Sequence, residues 1–521
     1  MNILSILIRF NDTSTMKHWL LLFFTVLNFG RPHFIAAQAG NLDFTFGTNG
    51  KVITTLSNFG QKGNAMAIQS DGKILCGGLV QYSFTSSEFA LAKYHQDGSL
   101  DSSFGINGYV HTAIEAASKA NAIALQSDGK ILLGGDSQWY VNLARYLING
   151  TPDTTFGVGG KIITDIIGYY SEKCKSLEIQ NDGKILVGGY AMHNANDNPY
   201  FILARYHSNG TPDSTFGNNS QVIGVEGYGN SMALQSDGKI LLAGSSNDHF
   251  AVARYLSNGV PDSSFGTNGV VITILGNAGM ANAMKLQNDG KIVLGGYVYN
   301  AANTSDFGMV RYLTNGSIDT VFGSNGVAIT TIGSSDSRAY SIGLQSDGKI
   351  ILAGYRKNTL NLDDLAVAKY HTDGSLDLNF GLGGTVITPI GNSYCHNTSM
   401  GIQSDDKIVL CGYAYDGSKT DIALVRYYGH EAVGVEEPIA TNQEVLVYPN
   451  PAQSFLNIDF LSQPMDLTLK IYHMNGQLVK EINHLSERHI QLSQHGLAPG
   501  IYSIQGIEHH RTIYAQRIVI E

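Results

Sequence analysis

The chain has 521 residues and is 43% hydrophobic, which is enough for about two to four domains of roughly 100–200 residues, each with its own buried core. Only 15% of residues are charged, and 60 glycines against 11 prolines exclude collagen and a proline-rich linker in favour of turn-rich β structure. A net charge of −10 excludes the broad basic surface that nucleic acid requires, and four cysteines without a Cys-x-x-Cys pair exclude a zinc ribbon, a thioredoxin motif and a disulfide scaffold.

The first element is an apolar run over 19–27, preceded by Lys17 and followed by Ala36, Ala37 and Ala39. That order of basic, apolar and small residues predicts a secretory signal peptide over 1–39, cleaved after Ala37 or Ala39 and starting at Met16. The run is too short for a permanent anchor, so the mature chain is expected to carry no transmembrane segment.

From there three strings recur seven times in one order. Gln-Ser/Asn-Asp-Gly-Lys ends at Lys73, Lys130, Lys184, Lys239, Lys291 and Lys349, and at Lys407 in a copy where Asp406 replaces the glycine. The lysines are 52 to 58 residues apart. An Asp-x-x-Phe-Gly string starts at Asp43 and, six copies later, at Asp377; a basic-Tyr pair closes an apolar run from Tyr94 to Tyr427. Each unit reads as four short strands, in the second unit 122–126, 130–134, 141–146 and 161–164. Asp-Gly in the first string predicts a tight hairpin in which both residues take positive φ. Seven such units over 40–429 predict a seven-bladed β-propeller of four-stranded blades. The strand at 51–55 precedes the first complete unit and none follows Tyr427, so the last blade is expected to be split between the two ends of the domain. These strings resemble the delta-60 family of bacterial propeller repeats.

Local motifs yield to this periodicity. The Gly-Lys pairs lack the Ser/Thr of a phosphate loop, and the repeated Asp and Phe are a turn cap and a core anchor, since a catalytic acid is not needed seven times. Asn196-Asp197-Asn198 does not complete a calcium loop; no cofactor and no metal are expected. Cys76 and Cys411 fall at core positions on opposite faces of adjacent blades, either facing across the seam or pointing apart. A spacing of about 10 Å between packed sheets predicts two buried thiols.

The constant turns alternate with segments that vary in length, among them 79–88, 136–140, 190–200, 297–306, 165–175 and 389–398, so the variable segments are expected on one face. Tyr190, Tyr297, Tyr355 and Tyr413 directly follow a glycine there, and with Trp139, Tyr140 and Tyr200 they form the candidate ligand-binding set. The competing reading of the four post-glycine tyrosines is that they seal the gaps between blades. No catalytic residue is assigned: Glu88, His193, Asp248, His249 and His396 depart from the repeat without recognisable spacing. A secreted or surface module binding a glycan or protein is therefore preferred over an extracellular polysaccharide- or glycoconjugate-degrading hydrolase or lyase, which would need carboxylates of shifted pKa near the axis.

A polar linker over 430–444 leads to 445–521, where alternating apolar runs and Asn-Gly and Pro-Gly turns predict a small Ig-like β-sandwich of about seven strands. Tyr448-Pro449-Asn450-Pro451, Asn475-Gly476 and Pro499-Gly500 with Tyr502 resemble, in order, the type A sorting domain of the type IX secretion pathway of Bacteroidota. The resemblance implies the type IX secretion machinery as a partner, passage through the periplasm and release or retention at the outer cell surface.

Overall fold

The computed structural model describes residues 39–430 apart from 84, 167, 195–196 and 391–394, and the strands and some intervening residues from 445 onward. The leader up to residue 38, the linker over 431–444, Tyr394 and the sorting-motif residues Pro449, Asn450, Pro451, Asn475, Gly476 and Pro499 lie outside the described residues. Among the described residues no helix is long and apolar enough to cross a membrane.

The described residues between 39 and 430 form one compact unit of seven four-stranded antiparallel sheets, the blades. Blades 1 to 6 occupy 61–112, 119–164, 171–226, 228–273, 278–330 and 337–388. Successive inner strands contact one another around the ring, and within a blade the strands follow chain order from inside to outside. Second and third strands such as Ile185–Met192 and Tyr200–Tyr206 are covered on both faces by neighbouring blades. Their sequences are accordingly continuous apolar runs rather than alternating ones.

Blade 7 is split as its sequence requires. Cys395–Ile402, Ile408–Tyr415 and Thr420–Tyr427 supply three strands, and Lys51–Thr54 from the start of the domain supplies the outermost, with Lys51 opposite Val425 and Thr54 opposite Ile422. The edge that would remain open is thereby paired.

The recurring strings are seam devices. In blade 3 Arg205 Nε donates to Asp213 Oδ2 at 2.8 Å, and the guanidinium lies 4.5 Å from the centre of the Phe216 ring. Its Nη1 donates to the Ser257 carbonyl of blade 4, while the Tyr206 hydroxyl meets Thr164 Oγ1 of blade 2 at 2.5 Å. Asp213 Oδ1 also caps the Thr215 N–H at 3.1 Å. The arginine contacts recur at Arg145, Arg254, Arg311 and Arg426 and the tyrosine contact at Tyr146, Tyr312 and Tyr427, so these pairs reach both neighbours of their blades, except in blade 4, where Gly224 of the preceding blade stands in the place of the threonine that Tyr255 would meet. Nearer the axis, Asn side chains beside a bulge in the inner strand tie four of the blades to the next. Asn64, Asn230 and Asn282 donate to Ala120, Ala281 and Ala339 carbonyls of the next blade.

Two expectations need correction. In the Gln-Ser/Asn-Asp-Gly-Lys hairpin only the glycine takes positive φ (78° at Gly72), because the turn spans three residues and Asp71 instead accepts the Lys73 N–H at 3.1 Å. Asp406, at φ 58° in the seventh copy, is held there by the Ser346 N–H at 2.8 Å and by His430. Cys76 and Cys411 are two buried thiols, as expected, but the spacing argument behind that reading fails: of the two orientations it left open they take the facing one, with sulfurs 2.7 Å apart across the seam. Sheet separation is measured between backbones, and two side chains aimed at one another close it.

The C-terminal strands form two sheets. One orders Val445–Tyr448, Phe455–Phe460 and His489–Ser493; the other orders Leu478–Leu485, Leu467–His473, Gly500–Glu508 and Arg511–Ile520. Leu456, Ile458 and Ile490 of the first sheet share one core with Leu469, Ile471 and Ile504 of the second, as a sandwich requires. Tyr502 lies in that core, whereas Tyr448 is exposed and donates its hydroxyl to Asp459 at 2.7 Å.

Candidate functional site

The connections between second and third strands and those between blades emerge on one side of the ring, as a meander dictates. The inner strands carry, seven residues before each repeated glutamine, Lys62, Lys119, Lys173, Tyr228, Met280, Arg338 and His396. Cross-strand pairing sets these opposite Leu79, Asp136, Tyr190, Ser245, Tyr297, Tyr355 and Tyr413 of the second strands. Two concentric sets of seven side chains thus surround the axis on the variable side.

The two sets interlock from blade to blade. Tyr297 of blade 5 lies under the Arg338 guanidinium of blade 6 at 4.7 Å, and Arg338 Nη2 donates to the Tyr299 hydroxyl at 2.7 Å. Tyr355 of blade 6 packs on the His396 ring of blade 7 at 4.5 Å, with Tyr340 5.9 Å away. His396 stacks on Tyr413 at 5.4 Å and 12°, and the Lys62 ammonium of blade 1 sits 4.4 Å over the Tyr413 ring. Asp136 of blade 2 bridges Lys119 at 3.8 Å and Lys173 at 3.2 Å, while Tyr190 of blade 3 meets Tyr228 of blade 4 at 5.0 Å. Five consecutive blades, 6, 7, 1, 2 and 3, therefore present a lysine, an arginine or a histidine at the mouth.

This arc runs against the negative charge of the whole chain. Its carboxylates are few: Asp136 serves two lysines, and Asp363 holds His396 at 2.8 Å. Among the described residues Lys62 and Arg338 have tyrosine rings rather than carboxylates as partners. Burial, and then repulsion from Lys119, holds the Lys62 ammonium below the ordinary lysine range; burial also lowers Lys175. Burial pushes the Tyr190 hydroxyl up to about 12. Half-buried cations with depressed pKa values gain most from an incoming anion, which restores the charged form.

Of the residues expected to bind, Tyr190, Tyr297 and Tyr413 meet at the mouth, half-buried and on second strands that run further than their sequence suggests. Tyr355 is only 5% exposed and packs beneath the ring, so it supports its neighbours instead of presenting a face. Trp139, Tyr140 and Tyr200 lie outside the mouth. Trp139 is half-buried 4.3 Å from Tyr170, and Tyr200 closes a cluster in which Tyr169 and His193 stack at 4.0 Å. The inner-strand ring was missed because its members are chemically mixed. Aligning the seven copies on the glutamine and reading backwards exposes it.

Two acids depart from the repeat near the axis. Glu172 is fully buried, accepts the Ile166 N–H at 2.6 Å and the Val141 N–H at 3.3 Å across a seam, and is raised by burial to about 8. Glu178 stands alone where other blades carry Ala67, Ala124 or Gly343, and burial lifts it to about 7 despite attraction from Lys285. The folded chain therefore keeps a proton on Glu178 that the unfolded chain loses above its ordinary pKa of about 4.3. This contribution to stability is complete below that value and is lost as pH rises through about 7. Glu178→Gln is expected to leave the thermal midpoint unchanged near pH 4 and to raise it by a few degrees at pH 8; equal midpoints at pH 8 would contradict the assignment.

Two surface hollows of about 500 and 440 Å³ lie away from the mouth, lined by Gly47, Lys51 and Gly98 in one case and Gly323, Val327 and Gly374 in the other. They occupy equivalent places in the repeat and belong to the fold. Among the described residues no cluster of three or more His, Cys, Asp or Glu residues is placed to hold a metal ion.

Comparison with known proteins gives two family matches. Residues 446–521 match the secretion system C-terminal sorting domain. Seven segments, 69–104, 126–156, 180–216, 235–265, 287–322, 345–380 and 403–427, match the domain of unknown function (DUF5122) beta-propeller. No curated protein matches the chain. Solved structures similar to it include PorZ, a surface component of the type-IX secretion system of Porphyromonas gingivalis, at 12% identity and TM-score 0.38, covering 88% of this chain and 59% of that one. The polysaccharide lyase Uly1 gives 12% identity and TM-score 0.43, covering 76% and 94%, and a protein from Lactobacillus plantarum 13% and 0.44, covering 67% and 98%. The chain thus spans about three-fifths of the length of PorZ, and likenesses this distant say nothing of activity. With seven repeats forming seven blades and the sorting domain behind them, this chain is a β-propeller of the DUF5122 repeat type that the type IX secretion system exports to the cell surface or beyond.

Proposed function

We propose that the exported propeller is a non-enzymatic binding module that holds an acidic polysaccharide across the mouth of its axis. The observation that carries this reading is the arc Arg338, His396, Lys62, Lys119 and Lys173, interleaved with Tyr297 and Tyr413. Aromatic faces suit sugar rings and half-buried cations suit their carboxylates, and the two alternate here over several blades, the span of an extended chain. Catalysis is not assigned, because Glu172 is fully buried, with its carboxyl held by the Ile166 and Val141 N–H groups and by Asp165, and among the described residues the charged neighbour of Glu178 is Lys285 and not a second carboxylate.

The test is a titration of the mature protein with polygalacturonate, neutral dextran and polyglutamate. Polygalacturonate is expected to bind best, to weaken with added salt, and to lose at least tenfold in affinity with Lys62→Gln plus Arg338→Gln. Equal binding of dextran would remove the role of charge, and stronger binding of polyglutamate would make the partner an acidic protein. Shortening of the polymer during incubation would overturn the non-enzymatic reading.

A further inference from the structure

The two cysteines that face each other lie at the one seam where the first and last blades of the ring meet. At three of the six other seams this level is packed in a single way. A leucine three residues after the repeated lysine, on one blade, sits over a glycine four residues after the lysine on the blade before it. Leu133 covers Gly77, Leu242 covers Gly188 and Leu352 covers Gly295; an added Cβ on those glycines would meet the leucine methyls at 2.9, 3.2 and 2.5 Å. At the closing seam both members change together: Cys76 stands in the place of the leucine and Cys411 in the place of the glycine. Gly63 on the adjacent inner strand leaves room for both sulfurs, since an added Cβ there would meet them at 2.6 and 2.7 Å. The surrounding core, with Phe46, Tyr94, Val409 and Leu424, excludes water.

We propose that Cys76 and Cys411 form a disulfide during export, a covalent tie between the first and seventh blades that seals the ring. Two thiols give up two protons and two electrons to a periplasmic protein disulfide, which becomes a dithiol, while one S–S bond forms between the cysteines. The exchange passes through a mixed disulfide with one of them, so it takes place while blade 7 is still docking. Once the ring is closed neither sulfur is reachable, and burial holds the Cys411 thiol well above its ordinary pKa, which makes it a poor nucleophile. Cys174 and Cys395, buried at other levels and other seams, remain thiols. Because the tie joins residues 335 apart, it restricts nearly the whole unfolded propeller and acts most strongly against opening at this seam.

The test uses the full chain recovered from the exporting cell, denatured and alkylated before and after reduction. Two alkylated cysteines before reduction and four after, with a linked pair of peptides containing Cys76 and Cys411, are expected. Four alkylated cysteines before reduction, or a link through Cys174 or Cys395, would overturn the proposal. Because single substitutions leave a hole, the companion variant is Cys76→Leu with Cys411→Gly, which reproduces the packing of three other seams. Reduction is expected to lower the thermal midpoint of the natural chain by roughly 5 °C or more and to leave the double variant unmoved. An equal response of both to reductant would likewise refute it.

Discussion

A chain lacking residues 40–56 is expected to lose the propeller altogether, not to form a ring with one thinner blade. The segment supplies the outer strand Lys51–Thr54 of blade 7, and with it Asp43 and Phe46, the partners of Arg426. Asp43 and Phe46 are fully buried and Arg426 is 6% exposed, so the deletion leaves a buried guanidinium without its carboxylate and opens the space that Phe46 filled. Breaking such a pair costs about 3–5 kcal/mol, and removing a buried phenylalanine side chain costs a similar amount. Together these approach the whole stability of an ordinary domain, about 5–15 kcal/mol. Circular dichroism melting is expected to show no cooperative transition for the deletion, with an unchanged transition for a chain beginning at residue 39. A deletion variant that melts within a few degrees of the full propeller would mean that the ring does not depend on its N-terminal strand.

Arg205→Ala is expected to be the most damaging single change outside that closure. It removes the ion pair with Asp213, the stacking on Phe216 and the bond to the Ser257 carbonyl of the next blade, while Asp213 stays 1% exposed. The expected cost is about 3 kcal/mol or more, read as a fall in the denaturant midpoint at unchanged slope. The same interactions set the behaviour in acid. Burial would raise Asp213, but its bonds with Thr215 and the charges of Arg205 and Lys184 bring it below the ordinary carboxylate range; Asp153 sits at about 2 for the same reasons. Carboxylates lowered on folding add stability that is present above their unfolded pKa near 4 and disappears as pH falls toward 2. The natural propeller should therefore lose stability across that window, and Arg205→Ala should lose less of it.

The architecture could be read from the chain because propellers repeat their chemistry. Asp213 and Phe216 carry the same duties as Asp153 and Phe156, and seven copies make the pattern plain against variable loops. The split blade was legible from simple counting, since 51–55 had no unit of its own. What stayed hidden was anything that depends on direction across a seam. The basic-Tyr pair was visible as a strand end, yet nothing in its spacing says that Arg205 reaches forward to blade 4 while Tyr206 reaches back to blade 2. The same limit applied to Cys76 and Cys411, whose two alternatives the register left open. At the mouth, tyrosines following a glycine could be picked out one by one, whereas the arc from Arg338 to Lys173 is a property of seven inner strands taken together. Tyr355 shows the cost of judging residues singly: its position matches Tyr297 and Tyr413, but Tyr340 and His396 bury it.

Hydrogen–deuterium exchange of the mature propeller with and without polygalacturonate tests the binding reading most directly, because it reports which side of the ring is covered. Protection is expected at the starts of the inner strands, around Lys62, Lys119, Lys173, Arg338 and His396, and at the ends of the second strands near Tyr297 and Tyr413. Protection confined to the Gln-Ser/Asn-Asp-Gly-Lys hairpins on the opposite side, with the mouth unchanged, would contradict it.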